Sequence, residues 1–237
     1  MIKLENYEVM GWEHAIRGMR NPMNSWEKSD SNWRYLYEDG VVDGECVGSN
    51  DLALMLNLSK CGPVHGKFRR MITVYVDITA PLYWWKEFDT YKVGTVANSC
   101  STMHKIHEKE FTINDFSHEH LIPVNPDRTI DNDLVMSVKG SDAATSWDFI
   151  GQIIWYLNYW RSKFLETKDK KYWWQMIQLL PSSYNQKRTV QLNYEVLAGI
   201  YEYRKNHKLD EWVEFCSWIE QLPYSEIITG EREKADE

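Results

Sequence analysis

A run of small polar residues between Gly94 and Thr102 is the stretch of the sequence best suited to hold an anion. It follows an apolar segment with strand periodicity and an aromatic segment with helical character. A polar loop placed after a strand and a helix can present several donors to a phosphate or a flavin. Many α/β proteins contain such a segment without a ligand, so an ordinary connecting loop is the alternative interpretation.

Three cationic side chains, His65, Lys67 and Arg70, lie within six residues of one another just before the apolar segment. They predict a cationic rim for a flavin or a nucleotide phosphate. A solvated turn is the alternative.

Further along, His104, His107, His118 and His120 have spacings that zinc sites use, but they follow no strict motif and also suit a polar loop or helix face. No metal site is therefore predicted.

The four cysteines are scattered at positions 46, 61, 100 and 216, with no Cys-x-x-Cys pair. This usage predicts reduced thiols in a cytoplasmic protein. Cys100 follows the polar loop and has Lys92 nearby in sequence. A helix end and a cation can lower a thiol pKa, which gives a reactive thiol as one interpretation. A buried and inert cysteine is the other.

Composition limits the classes of function. The net charge of the chain is −8, whereas proteins that bind nucleic acids or membrane surfaces in general carry an excess of basic residues. No apolar run approaches the ~20 residues that span a bilayer, and the N-terminus has no signal-peptide pattern. The 237 residues suit one domain, whereas 12 tryptophans and 14 tyrosines exceed what filling a core requires. The aromatic excess predicts large aromatic surfaces in the core or at subunit contacts.

The elements that position these residues follow from periodicity. Ile72, Val74, Val76 and Ile78 alternate with polar residues and predict a strand over residues 71–79. Ala80-Pro81 ends it, and residues 82–92 form a short aromatic helix. The other expected elements are a first strand over residues 2–10 and helices over 12–20, from 49 or 50 onward, 146–167, 172–180, 193–204 and 209–222.

The expected helix over residues 146–167 is apolar around most of its circumference. Such a helix must be covered on more than one side. In a chain of this size, that requirement predicts a subunit interface in addition to the core, and therefore a homo-oligomer.

Arg17 and Arg20 share one face of the expected helix over residues 12–20, and we expect both to be exposed to solvent.

Residues 71–107 resemble the signature region of the flavin-dependent thymidylate synthases. In that family, a strand ending in Ala-Pro is followed by an aromatic helix, Arg-His-Arg, seven residues and Ser. Counting from Ala80-Pro81 places Thr90-Tyr91-Lys92 on Arg-His-Arg and Cys100 on Ser. The frame of the motif is retained, while the residues differ.

Two further segments resemble the same family in the same order. Residues 50–70 resemble its Gly-His-x-Ser-Pro-Phe-Glu-His turn, with Gly62, His65 and Phe68 as counterparts. Residues 179–214 resemble its C-terminal part, in which Leu180-Pro181 and a short linker precede Asn193 and a helix through Arg204. The resemblance implies an α+β or α/β fold, with a central, mainly antiparallel sheet flanked by helices in one domain over residues 1–229. Residues 230–237 are expected to form a disordered, charged tail.

The resemblance also implies ligands and site residues. FAD is the implied cofactor, a pyrimidine nucleotide such as dUMP is the implied substrate, and a homotetramer is the implied assembly. No protein side chain acts as nucleophile, so no catalytic residue is assigned. The implied cofactor-binding residues are His65, Lys67, Lys92, Asn193 and Arg204, and the implied substrate-binding residues are Lys86, Thr90, Tyr91, Ser99, Cys100, Ser101 and Thr102.

Two hypotheses of different classes follow. The first is a flavin-dependent enzyme that methylates dUMP or a related nucleotide by reductive one-carbon transfer. The second is a catalytically inactive relative that binds a nucleotide or serves as an oligomeric scaffold. The second is favoured by the loss of arginines, since lysine cannot reproduce the bidentate fork with which arginine holds phosphate. The polar 94–102 loop and Asn193 favour the first.

Overall fold

A four-stranded antiparallel sheet organises the fold, and its strand order is β1-β2-β4-β3. The computed structural model describes residues 2–32, 47–122 and 145–230. The strands are β1 (Lys3–Met10), β2 (Thr73–Pro81), β3 (Val96–Ser99) and β4 (Asn185–Asn193). The predicted fold class, a central antiparallel sheet flanked by helices, is confirmed.

Helices account for most of the remaining described residues. The α-helices are α1 (Trp12–Arg20), α2 (Ser49–Lys60), α3 (Leu82–Phe88), α4 (Thr102–Lys105), α5 (Ser146–Thr167), α6 (Lys170–Leu179), α7 (Tyr194–Arg204), α8 (Asp210–Ile219) and α9 (Glu226–Thr229). Short 3-10 helices include Gly66–Met71 and Ile113–Asp115. None of the helices in the described ranges combines the length and apolar composition needed to cross a membrane. Cys46 and tail residues 231–237 lie outside the described ranges.

Within this fold, contacts are densest in two compact units. The helical unit comprises Ala80–Glu87 and Ser99–Lys187, and the sheet unit comprises Ile2–Thr79, Phe88–Asn98 and the chain from Arg188 onward. The assignment of residues 1–229 to one functional domain stays a prediction.

The core of the sheet unit is built on β2. Val74, Val76 and Ile78 are almost completely buried, as the alternation predicts. The strand begins at Thr73, two residues later than predicted, because Met71 ends the preceding 3-10 helix. β1 pairs antiparallel with β2, with Lys3 opposite Thr79 and a register shift between Glu5 and Glu8. Asn6 adopts φ 51° at that irregularity.

Arg20 is buried in the sheet unit, so its predicted exposure is wrong. Its Nε donates to Asp51 Oδ1 at 2.6 Å, and the Asp51 side chain is completely buried. Its Nη1 and Nη2 donate to the carbonyls of Ser25 and Lys28, each at 3.2 Å. A buried guanidinium is tolerated because its donors and its charge are matched in this way. Arg17 is exposed, as predicted.

The helical unit has a separate core between α5, α6 and the segment that follows α4. Phe111, Phe116, Ile150, Leu157 and Met176 form its centre. α5 begins with a capping box in which the side chain of Thr145 accepts from the N–H of Asp148, and the Asp148 carboxylate accepts from Thr145. The predicted bounds of this helix, 146–167, match the structure.

Candidate functional site

A cavity of about 230 Å³ lies in the helical unit. Three parts of the chain form its walls. They are Cys100–Thr102, the segment of Lys105, Ile106, Glu108–Phe111 and Asp115, and Tyr184–Lys187. Cys100, Ser101 and Thr102 were all implied as substrate-binding residues, and the structure brings them together at this cavity. Cys100 is exposed there, rather than buried.

Hydrogen bonds hold the polar wall of the cavity in place. The N–H of Cys100 donates to the carbonyl of Lys187 at 2.9 Å. Gln186 Nε2 donates to the carbonyl of Cys100 at 3.2 Å and to Thr102 Oγ1 at 3.1 Å. Ser101 accepts from the N–H of His104 and caps the short helix α4. The first residues of β4 therefore fix the position of the loop that follows β3.

Aromatic rings form the apolar side of the cavity. Phe111 and Tyr184 both line it, with ring centroids 6.3 Å apart. Asn158 on α5 holds Phe111 by accepting from its N–H at 2.8 Å and donating to its carbonyl at 2.9 Å. Burial raises the pKa of Tyr184, and the nearby charge of Asp115 adds to the effect. The phenol therefore stays neutral and keeps its O–H as a donor.

The charged groups on the cavity wall have mixed signs. Lys105 forms an ion pair with Glu108, and the hydrogen bond from Lys105 lowers the pKa of Glu108. Lys109 and Lys187 bring two further ammonium groups to the lining. Flat rings on one side and ammonium, amide and hydroxyl groups on the other suit a small ligand that combines a planar ring with an anionic group.

Several lining residues were not found from the sequence. Asn185, Gln186 and Lys187 belong to β4, whereas residues 182–192 were interpreted as a linker. The strand alternation that would have predicted β4 is present in the sequence, because Val190 and Leu192 are buried and alternate with polar Thr189 and Gln191. The Oδ1 atom of Asn185 is also buried without a hydrogen-bond partner in the described structure.

Two of the implied site residues meet in the sheet unit. Arg204 Nε donates to the hydroxyl oxygen of Tyr91 at 2.9 Å. The guanidinium also stacks on Trp212, 4.7 Å from the ring centroid, and its Nη1 lies 2.9 Å from His207 Nε2. Arg204 is therefore held by stacking and hydrogen bonds to protein groups.

Asn193 has a structural role at the start of α7. Its Oδ1 accepts from the N–H groups of Glu195 and Val196, each at 3.1 Å, and so caps the helix. A Cβ at Gly94, where φ is +80°, would lie only 3.0 Å from Asn193 Nδ2. The side chains of Asn193 and Val196 thus pack closely against Gly94, where the positive φ also favours glycine.

The remaining implied residues are exposed at separate places. His65 and Lys67 lie at the start of the Gly66–Met71 helix, and Lys86 lies on α3. Thr90 and Lys92 follow α3 in exposed chain, because this helix ends at Phe88 and not at the predicted residue 92. Ser99, also exposed, ends β3, a strand that interrupts the predicted 94–102 loop.

Arg69, which the sequence did not single out, is used within the protein. It forms an ion pair with Glu195 at 2.7 Å, and its Nη1 donates to the carbonyl of Ile227 at 3.2 Å. Arg70 is exposed. Over residues 2–32, 47–122 and 145–230, no group of three or more His, Cys, Asp or Glu side chains could hold a metal ion.

The fold is similar to solved structures of two proteins. The structure of thymidylate synthase X from Helicobacter pylori with FAD and dUMP matches with a TM-score of 0.59 at 16% identity, covering 95% of this chain and 94% of that one. The UMP/dUMP methylase PolB from Streptomyces cacaoi, bound with 5-Br dUMP, matches with a TM-score of 0.54 at 12% identity, covering 97% and 94%. No family model and no curated protein sequence matches the chain. At these identities the similarity establishes the fold.

Proposed function

We propose that this chain is a divergent flavin-dependent thymidylate synthase-like protein that binds a pyrimidine nucleotide and a flavin. The fold supports the proposal, since it is shared over 95% of the chain with a protein crystallised with FAD and dUMP. The observation that carries it is the cavity. Its wall is formed by Cys100–Thr102, the segment that the family frame assigns to the substrate.

The size of the cavity decides which ligand part it accepts. Pockets for drug-sized ligands have volumes of roughly 300–1,000 Å³, so about 230 Å³ suits a small ligand such as a mononucleotide and not a whole dinucleotide. We assign it to the nucleotide. Phe111 and Tyr184 offer apolar surface to the ring, while Lys187 and Lys109 offer charge to the phosphate.

The FAD assignment uses groups of the sheet unit. A bound reduced flavin would supply a hydride, and the chain would bind and orient it. Asn193 lies beside Gly94 with an amide donor at Nδ2, and Lys92, His65 and Lys67 are exposed cations or donors. These groups fit a ligand that presents acceptor oxygens, such as a pyrophosphate. If active, the protein would be a flavin-dependent methyltransferase of the thymidylate synthase type.

The alternative is a catalytically inactive relative that binds a nucleotide or acts as an oligomeric scaffold. One observation favours it. Arg20 and Arg69 are used in buried ion pairs, and Arg204 is held by Tyr91 and Trp212. The guanidinium forks of these three arginines, the groups that hold phosphates most specifically, are thus already used by protein groups.

Calorimetric titration with dUMP, UMP and FAD tests the site, and the visible absorbance of the purified protein tests for bound flavin. Lys187→Ala should weaken dUMP binding by about 10- to 100-fold, since a hydrogen bond to a charged group contributes ~1.5–3 kcal/mol. Lys171 is an exposed lysine of α6 that does not line the cavity. Lys171→Ala is therefore the control and should bind dUMP with the affinity of the wild type. Equal affinities of Lys187→Ala and wild type would contradict the cavity assignment. If none of the three ligands binds, nucleotide binding is contradicted and the role as an oligomeric scaffold is the function that remains.

We also propose that the protein is a cytoplasmic homo-oligomer, of which a tetramer is the form that the family resemblance implies. The exposed aromatic residues of α5 support self-association. Nucleic acids and membranes are not proposed as partners, because the net charge is −8.

A further inference from the structure

One amide side chain, that of Gln186 on β4, holds the polar wall of the cavity through two hydrogen bonds. Its Nε2 donates to the carbonyl of Cys100 at 3.2 Å and to Thr102 Oγ1 at 3.1 Å. An NH₂ group has two hydrogens, and these two bonds use both of them. Thr102 is half-buried and lines the cavity. Gln186 is therefore connected to the interior of the cavity through the Thr102 hydroxyl.

The bond from Gln186 restricts what the Thr102 hydroxyl can do. A hydroxyl has one hydrogen, and that hydrogen cannot point toward an N–H group that donates to the same oxygen. Within residues 2–32, 47–122 and 145–230, the Thr102 hydroxyl donates to no protein acceptor. Its hydrogen is thus left for water or for a ligand in the cavity. Accepting from an amide also polarises the hydroxyl, which strengthens the hydrogen bond that it donates.

Two other hydroxyl groups of the wall are arranged in the same way. The Ser101 hydroxyl accepts from the N–H of His104 at 3.1 Å, and the Tyr184 phenol stays neutral because burial raises its pKa. Neither hydroxyl donates to a protein group in the part of the chain that the structure describes. The wall of the cavity therefore presents several hydroxyl hydrogens that a ligand can accept.

Two carboxylates of the wall, by contrast, are already engaged by the protein. Glu108 forms an ion pair with Lys105. Asp115 Oδ2 accepts from the N–H and the hydroxyl of Thr112, at 2.7 and 2.9 Å. A wall whose hydroxyl donors are open and whose carboxylates are engaged favours a ligand that presents acceptor oxygens to it.

We propose that Gln186 is a positioning residue, which makes the Thr102 hydroxyl a donor to an acceptor oxygen of the bound nucleotide. The inference rests on the proposed nucleotide site and adds a residue that acts there through another side chain. The acceptor is either a phosphate oxygen or a carbonyl oxygen of the pyrimidine ring, since both accept from a hydroxyl in the same way. A purely structural role, in which Gln186 only holds the Cys100 carbonyl, is the alternative.

A double-mutant cycle, measured by calorimetric titration with dUMP, tests whether Gln186 acts through Thr102. Thr102→Val replaces the hydroxyl with a methyl group and should weaken binding about 10-fold. Gln186→Met keeps the length of the side chain without its amide and should weaken binding ~3- to 10-fold. The double variant should lose only about 10-fold, because Gln186 has nothing to orient once the hydroxyl is gone. Thr102→Ser keeps the hydroxyl and should bind within about 2-fold of wild type.

The controls separate this effect from a general disturbance of the fold. Gln178→Met, at an exposed glutamine of α6 that does not line the cavity, should bind dUMP as tightly as wild type. Gln186→Asn shortens the side chain by one methylene and gives a second cycle with the same expectation. Circular dichroism establishes that each variant is folded.

Further probes identify the acceptor and the place of binding. Inorganic phosphate and deoxyuridine are titrated separately, and the Gln186→Met effect should persist with the probe whose oxygen Thr102 contacts. A ligand in the cavity should slow the alkylation of Cys100 by iodoacetamide, followed by peptide mass spectrometry. Cys61, which is also exposed but lies in the sheet unit, should react at an unchanged rate.

The outcomes distinguish this inference from the proposed function. Losses that multiply in the double variant would overturn the positioning role, and so would equal dUMP affinities of Gln186→Met and wild type. In both cases nucleotide binding itself would stand. Phosphate binding that depends on Gln186 and Thr102, without binding of dUMP or UMP, would support the positioning role and contradict the proposed function. If none of the probes binds, both are overturned.

Discussion

Replacing Asp51 with asparagine tests the buried ion pair of the sheet unit. The Asp51 carboxylate accepts from Arg20 Nε at 2.6 Å and from Ser29 Oγ at 2.6 Å, and also from the N–H and hydroxyl groups of Ser31 at 3.2 and 2.5 Å. Asparagine removes the charge and turns an NH₂ group toward donors. Breaking a buried pair from one side costs ~3–5 kcal/mol, which for a chain of this size lowers the melting temperature by about 10 °C.

The structure also predicts an order for the two partners. Without Arg20, the Asp51 carboxylate keeps its serine and backbone donors, whereas Arg20 without Asp51 keeps only neutral acceptors, the carbonyls of Ser25 and Lys28 and the Ser25 hydroxyl. Arg20→Met should therefore destabilise less than Asp51→Asn. Arg17→Met, on the same helix but exposed, is the control and should change stability by no more than about 0.5 kcal/mol. Urea unfolding followed by circular dichroism measures all three. The reverse order, or an Asp51→Asn effect near that of the control, would refute this reasoning.

Four further predictions concern other parts of the chain. Asn193→Ala should cost about 1 kcal/mol through loss of the α7 cap, and Gly94→Ala should cost ~1–2 kcal/mol because φ is +80°; thermal unfolding measures both. Lys92→Ala should weaken FAD binding by about 10- to 100-fold in calorimetry, and unchanged affinity would exclude this lysine from the flavin site. Burial raises the pKa of Cys216 to about 12 from an ordinary 9.0, so stability present below pH 9.0 should decrease as the pH rises toward 12. Urea unfolding at successive pH values should show a smaller decrease for Cys216→Ala, and an identical pH profile would contradict this assignment.

Local patterns were sufficient to predict much of the fold. The alternation of Val74, Val76 and Ile78 predicted β2, because one face of that strand is buried. The bounds of α5 followed from its apolar residues, and Asn193 marked the start of α7. Each of these features depends on residues that are close together in the sequence.

Features that depend on distant residues were missed. Arg20 is buried because Asp51, far along the chain, matches its charge. The cavity wall forms because Gln186 reaches Thr102, 84 positions away. β4 was interpreted as a linker because its first half, from Asn185 to Arg188, is polar and hides the alternation of the second half. Sequence periodicity contains no information on such pairings.

The irregularity in β1 has a consequence for solubility. β1 and β3 are the outer strands of the sheet, and an outer strand can recruit the same strand of another molecule through its open backbone groups. The register shift between Glu5 and Glu8, with Asn6 at φ 51°, breaks the regular spacing of those groups. The two glutamates would also repel their counterparts in a second β1. The β1 edge of the sheet is therefore protected against the indefinite strand addition that begins fibril growth.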